Sequence, residues 1–224
     1  MIFFDLETAP FRSDINKLDD RVIALYDKKV RARHFLEETL EKAYESAGLY
    51  PEFGRIVCAT FGFAHADDKG PYFRMRSFCG RDEKAILQAI ADTFPPDTVL
   101  CGHNSKSFDI PYLCKRMLAL GVPLPSYLKL HGKKPWEVKH EDTMEIWKFG
   151  GRDYTSLDVL SMCLGIPSPK SDMDGSQVGK AFYEGRIGEI ATYCSRDVLT
   201  TANCYFKMMG KSLIERDTHE ITVL

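Results

Sequence analysis

The stretch MIFFDLET at residues 1–8 is apolar at both alternating sets of positions and carries two acids, Asp5 and Glu7. Such a run is typical of a central strand whose two faces are covered by helices. Side chains two apart on a strand point the same way, roughly 7 Å apart along the chain, and two buried anions need cations or hydrogen bonds beside them. The stretch therefore predicts an α/β fold around this strand, with a metal at its carboxyl end. The alternative is that Asp5 caps the following turn and Glu7 is solvated.

Length and composition limit the class of protein. A chain of 224 residues can bury a sizeable core and fits within one domain. Its 44% hydrophobic and 28% charged residues are ordinary globular values. The net charge of −2 provides no overall field to attract nucleic acid, which argues against a high-affinity non-specific binder. An enzyme that acts on a strand end through metal ions needs only a local basic patch.

The seven cysteines form no Cys-x-x-Cys pair and have no zinc-site spacing with histidine. Their odd number and scattered positions in apolar segments predict buried free thiols in a reducing compartment. The sequence starts directly with the strand and shows no signal-peptide pattern, and no apolar window is long enough to span a bilayer. We therefore expect a cytoplasmic protein without a membrane partner.

The periodicity of the remaining chain predicts a mixed sheet flanked by helices. Ala9-Pro10 is expected to end the first strand. Further strands are expected at about 55–66, 72–79 and 98–103, the first two as an antiparallel meander. Helical spacing predicts helices at about 81–94, 107–120, 142–149, 156–164, 176–183 and 186–209. The tail at 211–224 has no clear pattern, and no repeat or linker divides the chain, so we interpret 1–224 as a single domain.

Two segments need separate comment. Residues 14–50 are charged and have helical spacing around Phe35 and Leu36, so we interpret them as a helical insertion with a solvated face. Residues 124–140 interleave lysine and histidine with aromatic residues, including Trp136, a composition that can follow a phosphate backbone and stack on bases. A solvated loop anchored by its tryptophan is the favoured interpretation of this second segment.

Two further acidic signals follow along the chain. Asp109 comes after the strand at 98–103 and opens the next helix, near the strand end where open α/β sheets place ligands; N-capping of that helix is an equal alternative. Tyr193 and Asp197 are four apart on the last predicted helix and therefore share a face. Taken alone, such a pair is usually found on a protein surface.

Taken together and in this order, the signals resemble the exonuclease motifs of the DEDD superfamily, in its tyrosine-bearing branch. The motifs are Asp-x-Glu on the first strand, Asn-x-x-x-Phe-Asp at a strand-to-helix junction, and Tyr-x-x-x-Asp on a late helix. The similarity is greatest to the exonuclease related to the proofreading domain of family-B DNA polymerases. It extends over nearly the whole chain, including SLDVL and LGIP within residues 156–167.

The resemblance implies a ribonuclease-H-like fold and 3′-to-5′ hydrolysis of nucleic acid, one nucleotide at a time. It implies that two divalent cations, Mg²⁺ or Mn²⁺, are held by four acids: Asp5, Glu7, Asp109 and Asp197. Tyr193 would position the attacking water or help to deprotonate it. Hard oxygen ligands agree with these metals, and a pair of cations can activate water and stabilise the leaving oxygen.

The resemblance also implies contacts with the substrate. Leu6 and Thr8 would touch the terminal nucleotide, and Asn104 and Phe108 would seat the last residues of the strand, although Phe108 could equally be a core residue. The expected substrate is single-stranded nucleic acid with a free 3′ end, DNA favoured over RNA, and the expected products are nucleoside 5′-monophosphates. The insertion at 14–50 departs from the family, and it could gate the site or recruit a protein partner.

Other classes of function are less well supported. The main alternative is a catalytically weak nucleic-acid-binding or scaffolding module on the same fold, but such modules usually lose ligands, and all five expected site residues are present. A P-loop at 175–181 has one residue too few between its glycines and Ala181 in place of a hydroxyl. EF-hand patterns that begin at Asp14 and Asp172 do not continue as required.

Overall fold

The computed structural model describes residues 1–32, 39–167 and 173–224. Within these ranges the strands form one sheet: β1 (Ile2–Pro10), β2 (Gly54–Asp67), β3 (Gly70–Cys79), β4 (Leu100–Gly102), β5 (Glu141–Asp142) and β6 (Asp217–Val223). Their order is β5-β4-β1-β2-β3-β6. β2 is antiparallel to β1 and β3, whereas the β1–β4, β4–β5 and β3–β6 pairs are parallel. The predicted mixed sheet, with the first strand in a central position, is confirmed.

Helices cover both faces of this sheet. Those in the described ranges are α1 (Asp20–Arg31), α2 (Leu40–Tyr44), α3 (Glu83–Thr93), α4 (Asp109–Ala119), α5 (Thr143–Lys148), α6 (Leu157–Cys163), α7 (Val178–Tyr183) and α8 (Ile187–Met208). The helices predicted after residue 80 all form, with bounds within two residues of those expected. α8 packs Val198 against Phe3 on one face, and α3 and α4 pack Ile86 and Leu113 against Phe4 on the other.

Two parts of the sheet differ from the expectation. β1 includes Ala9 and Pro10, which were expected to break it after Thr8, because both residues pair with β2. The strand tolerates Pro10 because the proline nitrogen faces the open edge of the strand, where the Pro10 carbonyl accepts the Tyr183 hydroxyl at 2.7 Å. The tail without a clear pattern forms β6, whose β-branched residues pair along β3.

Helices form within residues 14–50, as expected, but α1 is not simply a solvated surface helix. Side chains from α1, α2 and the residues before β2 bury one another in a separate cluster: Tyr26, Val30, Tyr44 and Phe53. This cluster gives the segment apolar packing of its own. The periodic positions Phe35 and Leu36 lie outside the described residues.

The basic segment at 124–140 is anchored by Tyr127, so the expected tryptophan anchor was wrong. Trp136 is 78% exposed, whereas Tyr127 is buried. The segment returns to the sheet through His140, whose Nδ1 accepts the Leu100 amide at 3.1 Å and whose Nε2 lies 2.8 Å from the Tyr127 carbonyl. Burial lowers the pKa of His140, which favours the neutral ring that can both accept and donate.

All seven cysteines are free thiols. Five are buried, but Cys114 is half-buried and Cys163 is exposed, so the expected burial was wrong for Cys163. No helix in the described ranges is long and apolar enough to cross a membrane.

Candidate active site

Asp5 and Glu7 lie in the middle of β1, and not at its carboxyl end as expected, because the strand continues to Pro10. In the described part of the chain, the pairing of β4 with β1 is confined to Ile2 and Phe3. Beyond these residues the β4 side of β1 is an open edge. The two acids point to the sheet face that α8 covers, since alternate residues of a strand face opposite sides.

α8 brings three side chains to these acids. Cys194 lies behind Asp5, and its thiol donates to the Asp5 carbonyl at 3.4 Å and to Asp5 Oδ2 at 3.5 Å. Tyr193 and Asp197 lie one turn apart at the edge of the buried stripe, where burial and the neighbouring Asp197 carboxylate raise the pKa of the Tyr193 phenol. The alternative of an isolated surface pair was therefore wrong for these two residues.

Asp109 approaches from the open edge of β1. Phe108 occupies the N-cap position of α4 and Asp109 is the first helical residue, so the N-capping alternative does not describe its carboxylate. Burial raises the pKa of that carboxylate, and the nearby backbone N–H of Leu6 partly offsets the rise. The Leu6 amide is available because β4 has already ended at this position along β1.

The four acids interact electrostatically, and of these Glu7 and Asp109 are buried whereas Asp5 and Asp197 are half-buried. Burial raises the pKa of Asp5, and repulsion from Asp109 and Asp197 raises it further. The pKa of Glu7 is raised by burial and by repulsion from the other three acids. Burial raises the pKa of Asp109 to about 7 and that of Asp197 to about 6.

Residues 51–220 match the model of a family described as predicted 3′-5′ exonucleases related to the exonuclease domain of PolB. The chain belongs to this family. The match covers about three quarters of the sequence. A search of curated proteins finds no significant match.

Membership of the PolB-related exonuclease family confirms the resemblance found in the sequence. The mixed sheet with flanking helices is that of a ribonuclease-H-like exonuclease fold. The matched segment contains Asp109, Tyr193 and Asp197 but begins after β1. The family match therefore does not cover Asp5 and Glu7. It is the fold that brings these two acids close to Asp109 and Asp197.

The donor atoms of the cluster fit a hard divalent cation. Carboxylate oxygens of Asp5 and Glu7 and the Cys194 sulfur all lie within 4.8 Å of one another. The thiol is the poorest ligand of the three, because burial raises the pKa of Cys194 and its proton is donated to Asp5. The remaining donors are carboxylate oxygens, which suit Mg²⁺ or Mn²⁺ better than zinc or copper.

The predicted substrate-contact residues lie at different depths. The Leu6 side chain is buried in the core cluster on the far side of β1, so the side-chain contact expected of it does not fit its position. The half-buried Thr8 side chain lies near the Tyr112 hydroxyl. Asn104 and Phe108 are half-buried in the segment that leads into α4. Phe108 also packs against the core, which agrees with the alternative given for it.

Sequence reasoning missed Asp142, which shapes the loop that leads to Asp109. Its buried carboxylate accepts three backbone N–H groups: Asn104 at 2.9 Å, Lys106 at 3.0 Å and Met144 at 2.9 Å. Asn104 has a φ of 59°, a left-handed conformation that needs such support. The available signal was the Asp-Thr pair before a helical pattern, which is typical of an N-cap.

Proposed function

We propose that this chain is a metal-dependent 3′-5′ exonuclease that releases nucleoside 5′-monophosphates from single-stranded nucleic acid, DNA in preference to RNA. The observation that carries the proposal is the convergence of four carboxylates from β1, α4 and α8: Asp5 and Glu7 have carboxylate oxygens within 4.8 Å of each other, and Asp109 and Asp197 are near enough to repel both. Family membership supports the exonuclease type of activity. Residues 1–224 are proposed to act as one domain.

In this proposal Asp5, Glu7, Asp109 and Asp197 hold two divalent cations, Mg²⁺ or Mn²⁺. When bound, such a pair supplies an activated water and charge stabilisation for the leaving oxygen. The donor set corresponds to the tyrosine-bearing branch of the DEDD superfamily. Support comes from the electrostatics, since bound cations would remove the repulsion that the four carboxylates otherwise experience.

We assign Tyr193 a positioning role. Burial, followed by repulsion from Asp197 and Glu7, raises the pKa of the Tyr193 phenol, so its hydroxyl retains its proton. A protonated hydroxyl can orient water or a phosphate oxygen by donating a hydrogen bond, but it cannot accept the proton of that water as a phenolate would. Thr8, Asn104 and Phe108 are the proposed substrate contacts.

The test uses 5′-labelled DNA and RNA strands of identical sequence, with 3′ ends that are either free or blocked by phosphate. Wild-type protein with Mg²⁺ or Mn²⁺ should shorten free ends stepwise and degrade DNA faster than RNA. Asp5→Ala should release no mononucleotide. Asp97→Ala is the matched control, because Asp97 is an exposed aspartate outside the cluster, and it should retain wild-type activity.

The binding-module alternative makes the opposite prediction for the same assay. It expects the labelled strand to be retained by the protein without release of mononucleotides in either metal. That result with folded wild-type protein would reject the exonuclease proposal. A protein partner for the insertion and a cytoplasmic location stay predictions from the sequence.

A further inference from the structure

The basic segment at 124–140 contains a tryptophan whose exposure the packing of the fold does not explain. Trp136 is 78% exposed, although large aromatic side chains are mostly buried on average. It lies on a single 3-10 turn, Pro135–Glu137. The Lys134 amide donates to the Glu137 carboxylate at 2.7 Å, and the Glu137 amide donates to the Lys134 carbonyl at 2.9 Å. These two hydrogen bonds close the turn and hold the indole in solvent.

The basic segment carries a net positive charge in a chain that is slightly acidic. It contains four lysines and one glutamate, which gives +3 with neutral histidines. The whole chain carries −2, so the remaining residues together carry −5. The four lysines are exposed and form no ion pair with any residue in the described ranges: Lys129, Lys133, Lys134 and Lys139. Their charges are therefore available to an anionic ligand.

One of these lysines lies beside the exposed ring. Lys134 Nζ is 5.2 Å from the centroid of the Trp136 ring, within the range of a cation–π contact. The ring stays largely accessible in spite of this contact. An aromatic face with an ammonium group next to it offers a surface for stacking and a charge for a phosphate in one place.

Both ends of the basic segment are fixed to the body of the protein. Near its start, the Ser126 hydroxyl donates to the Pro96 carbonyl at 2.7 Å, and the Cys114 thiol of α4 donates to the Leu128 carbonyl at 3.6 Å. At its end, the buried His140 is hydrogen-bonded as described above. The exposed lysines and the tryptophan lie between these fixed ends, so they are presented together on one surface loop.

The basic segment leads directly to the elements that surround Asp109. β5 follows it, and there Asp142 accepts the Asn104 amide from the loop before α4 at 2.9 Å. The Asp142 carboxylate is also near enough to Asp109 to raise its pKa by repulsion, an effect smaller than that of burial. Six residues separate Trp136 from Asp142, and a chain of that length spans at most about 20 Å. A single strand whose 3′ end lies at the four acids can therefore extend to the basic segment.

We propose that the basic segment binds single-stranded nucleic acid on the 5′ side of the nucleotides that enter the active site, with a base stacked on Trp136 and phosphates beside Lys133 and Lys139. The choice of ligand rests on the proposed function. An exposed indole stacks on an unpaired base, which favours a single strand over a duplex. An anionic membrane fits less well, because an interfacial segment needs an apolar face, and the neighbouring Leu130 and Val138 are half-buried.

The experiment measures binding in EDTA by fluorescence anisotropy, so that no hydrolysis is involved. The probes are a labelled strand of thymidine nucleotides and an abasic strand of equal length, which has the phosphates without the bases. Trp136→Ala and Lys133→Ala are compared with two matched controls. Phe149→Ala removes an aromatic residue that is 91% exposed outside the basic segment, and Lys84→Ala removes an exposed lysine of α3. All four side chains are exposed, so the Tm should stay that of wild type.

Trp136→Ala should weaken binding of the thymidine strand roughly tenfold, because one stacking contact is lost, and should leave binding of the abasic strand unchanged. Lys133→Ala should weaken binding of both strands. It should also reduce the slope of log affinity against log salt concentration by about 0.7, as expected for one phosphate contact with a single strand. The two control variants should bind both strands as wild type does.

Intrinsic fluorescence provides a second measurement that needs no change at the proposed site. The chain has two tryptophans, and Trp147→Phe leaves Trp136 as the only one. Stacking on a base should quench its emission when the thymidine strand is added. The abasic strand should cause no comparable quenching, because it offers no base to the indole.

Three outcomes would overturn the inference: equal affinity of wild type and Trp136→Ala for the thymidine strand, equal loss on both strands in Trp136→Ala, or a response of Trp136 emission to phosphatidylserine vesicles and not to the thymidine strand. The last outcome would assign the basic segment to a membrane surface. Failure of the proposed function is distinguishable from these outcomes. If the binding results are as expected but wild type releases no mononucleotide with Mg²⁺ or Mn²⁺, only the exonuclease proposal fails.

Discussion

Glu83 is buried beside a cation, whereas the four acids of the candidate active site, two of them buried, lie near one another. Glu83 accepts Arg116 Nε at 2.8 Å, Arg116 Nη2 at 2.7 Å and the Ile56 amide at 2.8 Å. Asp5 and Glu7, by contrast, are raised in pKa by burial and by neighbouring carboxylates. A buried carboxylate whose charge is compensated by a cation indicates a structural role. A cluster of carboxylates whose charges are not compensated indicates a ligand-binding site.

The comparison also explains how each carboxylate contributes to the fold. Glu83 and Arg116 join α3 to α4, and Arg116 Nη1 further donates to the Pro51 carbonyl at 3.0 Å, just after the insertion. Removing either partner leaves a buried charge without compensation. Removing one acid of the cluster relieves repulsion instead, so the two regions should respond in opposite ways to loss of a carboxylate.

The largest effect is expected on activity at the acid cluster. Asp5→Ala or Asp197→Ala should lower the rate of mononucleotide release by on the order of 10³-fold or more, because a proposed cation ligand is lost. Circular dichroism and the Tm in EDTA should show a fold at least as stable as wild type. Retained activity in Asp5→Ala would contradict a catalytic role for the acid cluster, and would leave no functional difference between it and the Glu83–Arg116 ion pair.

The next largest effect is expected on stability at Glu83. Glu83→Gln should lower the free energy of unfolding by about 3–5 kcal/mol, because the Arg116 charge stays buried without its partner. For a chain of this length the Tm should fall on the order of 10 °C. Adding Arg116→Met to Glu83→Gln should restore part of the loss, and a Tm within two or three degrees of wild type for Glu83→Gln alone would contradict the structural role.

The pH dependence of stability should distinguish the cluster from the ion pair. The folded pKa values of Asp109 and Asp197, about 7 and about 6, lie above the unfolded value, so the folded state binds more protons. In EDTA the resulting stability is present at low pH and lost as pH rises through these values. We expect a decrease of about 2–4 kcal/mol between pH 5 and pH 8, measured by urea unfolding.

Divalent cations provide the control for that measurement. Mg²⁺ should stabilise the folded protein most at pH 8, where the acids are ionised, by an amount that grows with its concentration. Asp5→Asn should flatten the pH dependence in EDTA, because burial raises the pKa of Asp5 itself and this titrating group is removed. A stability that is equal at pH 5 and pH 8 in EDTA would argue against a strained cluster.

The smallest expected effect is that of Tyr193→Phe. This change removes one hydroxyl beside Asp197 and leaves the four acids in place. The rate of mononucleotide release should fall about 10- to 100-fold, as expected for one hydrogen bond to a charged group. A loss as large as that of Asp5→Ala would assign Tyr193 a more direct chemical role than positioning.

The sequence by itself determined the elements and the residue types of the site. The unbroken apolar run around Asp5 and Glu7 predicted a central strand, and periodic spacing predicted α4 and α8 within two residues. These features depend on neighbours along the chain, so a local pattern contains them. The order of the acidic motifs then sufficed to predict the family that the match to residues 51–220 confirmed.

Only the tertiary structure decided how distant segments meet. Three contacts join residues far apart in sequence: Asp109 lies near the Leu6 amide, the Asp142 carboxylate shapes the loop before Asp109, and Tyr112 bonds Gly48. The placement of Tyr127 in the core, in place of Trp136, has the same origin. Such contacts depend on where strands end and on which groups burial leaves unpaired, and periodicity along one segment has no information about either.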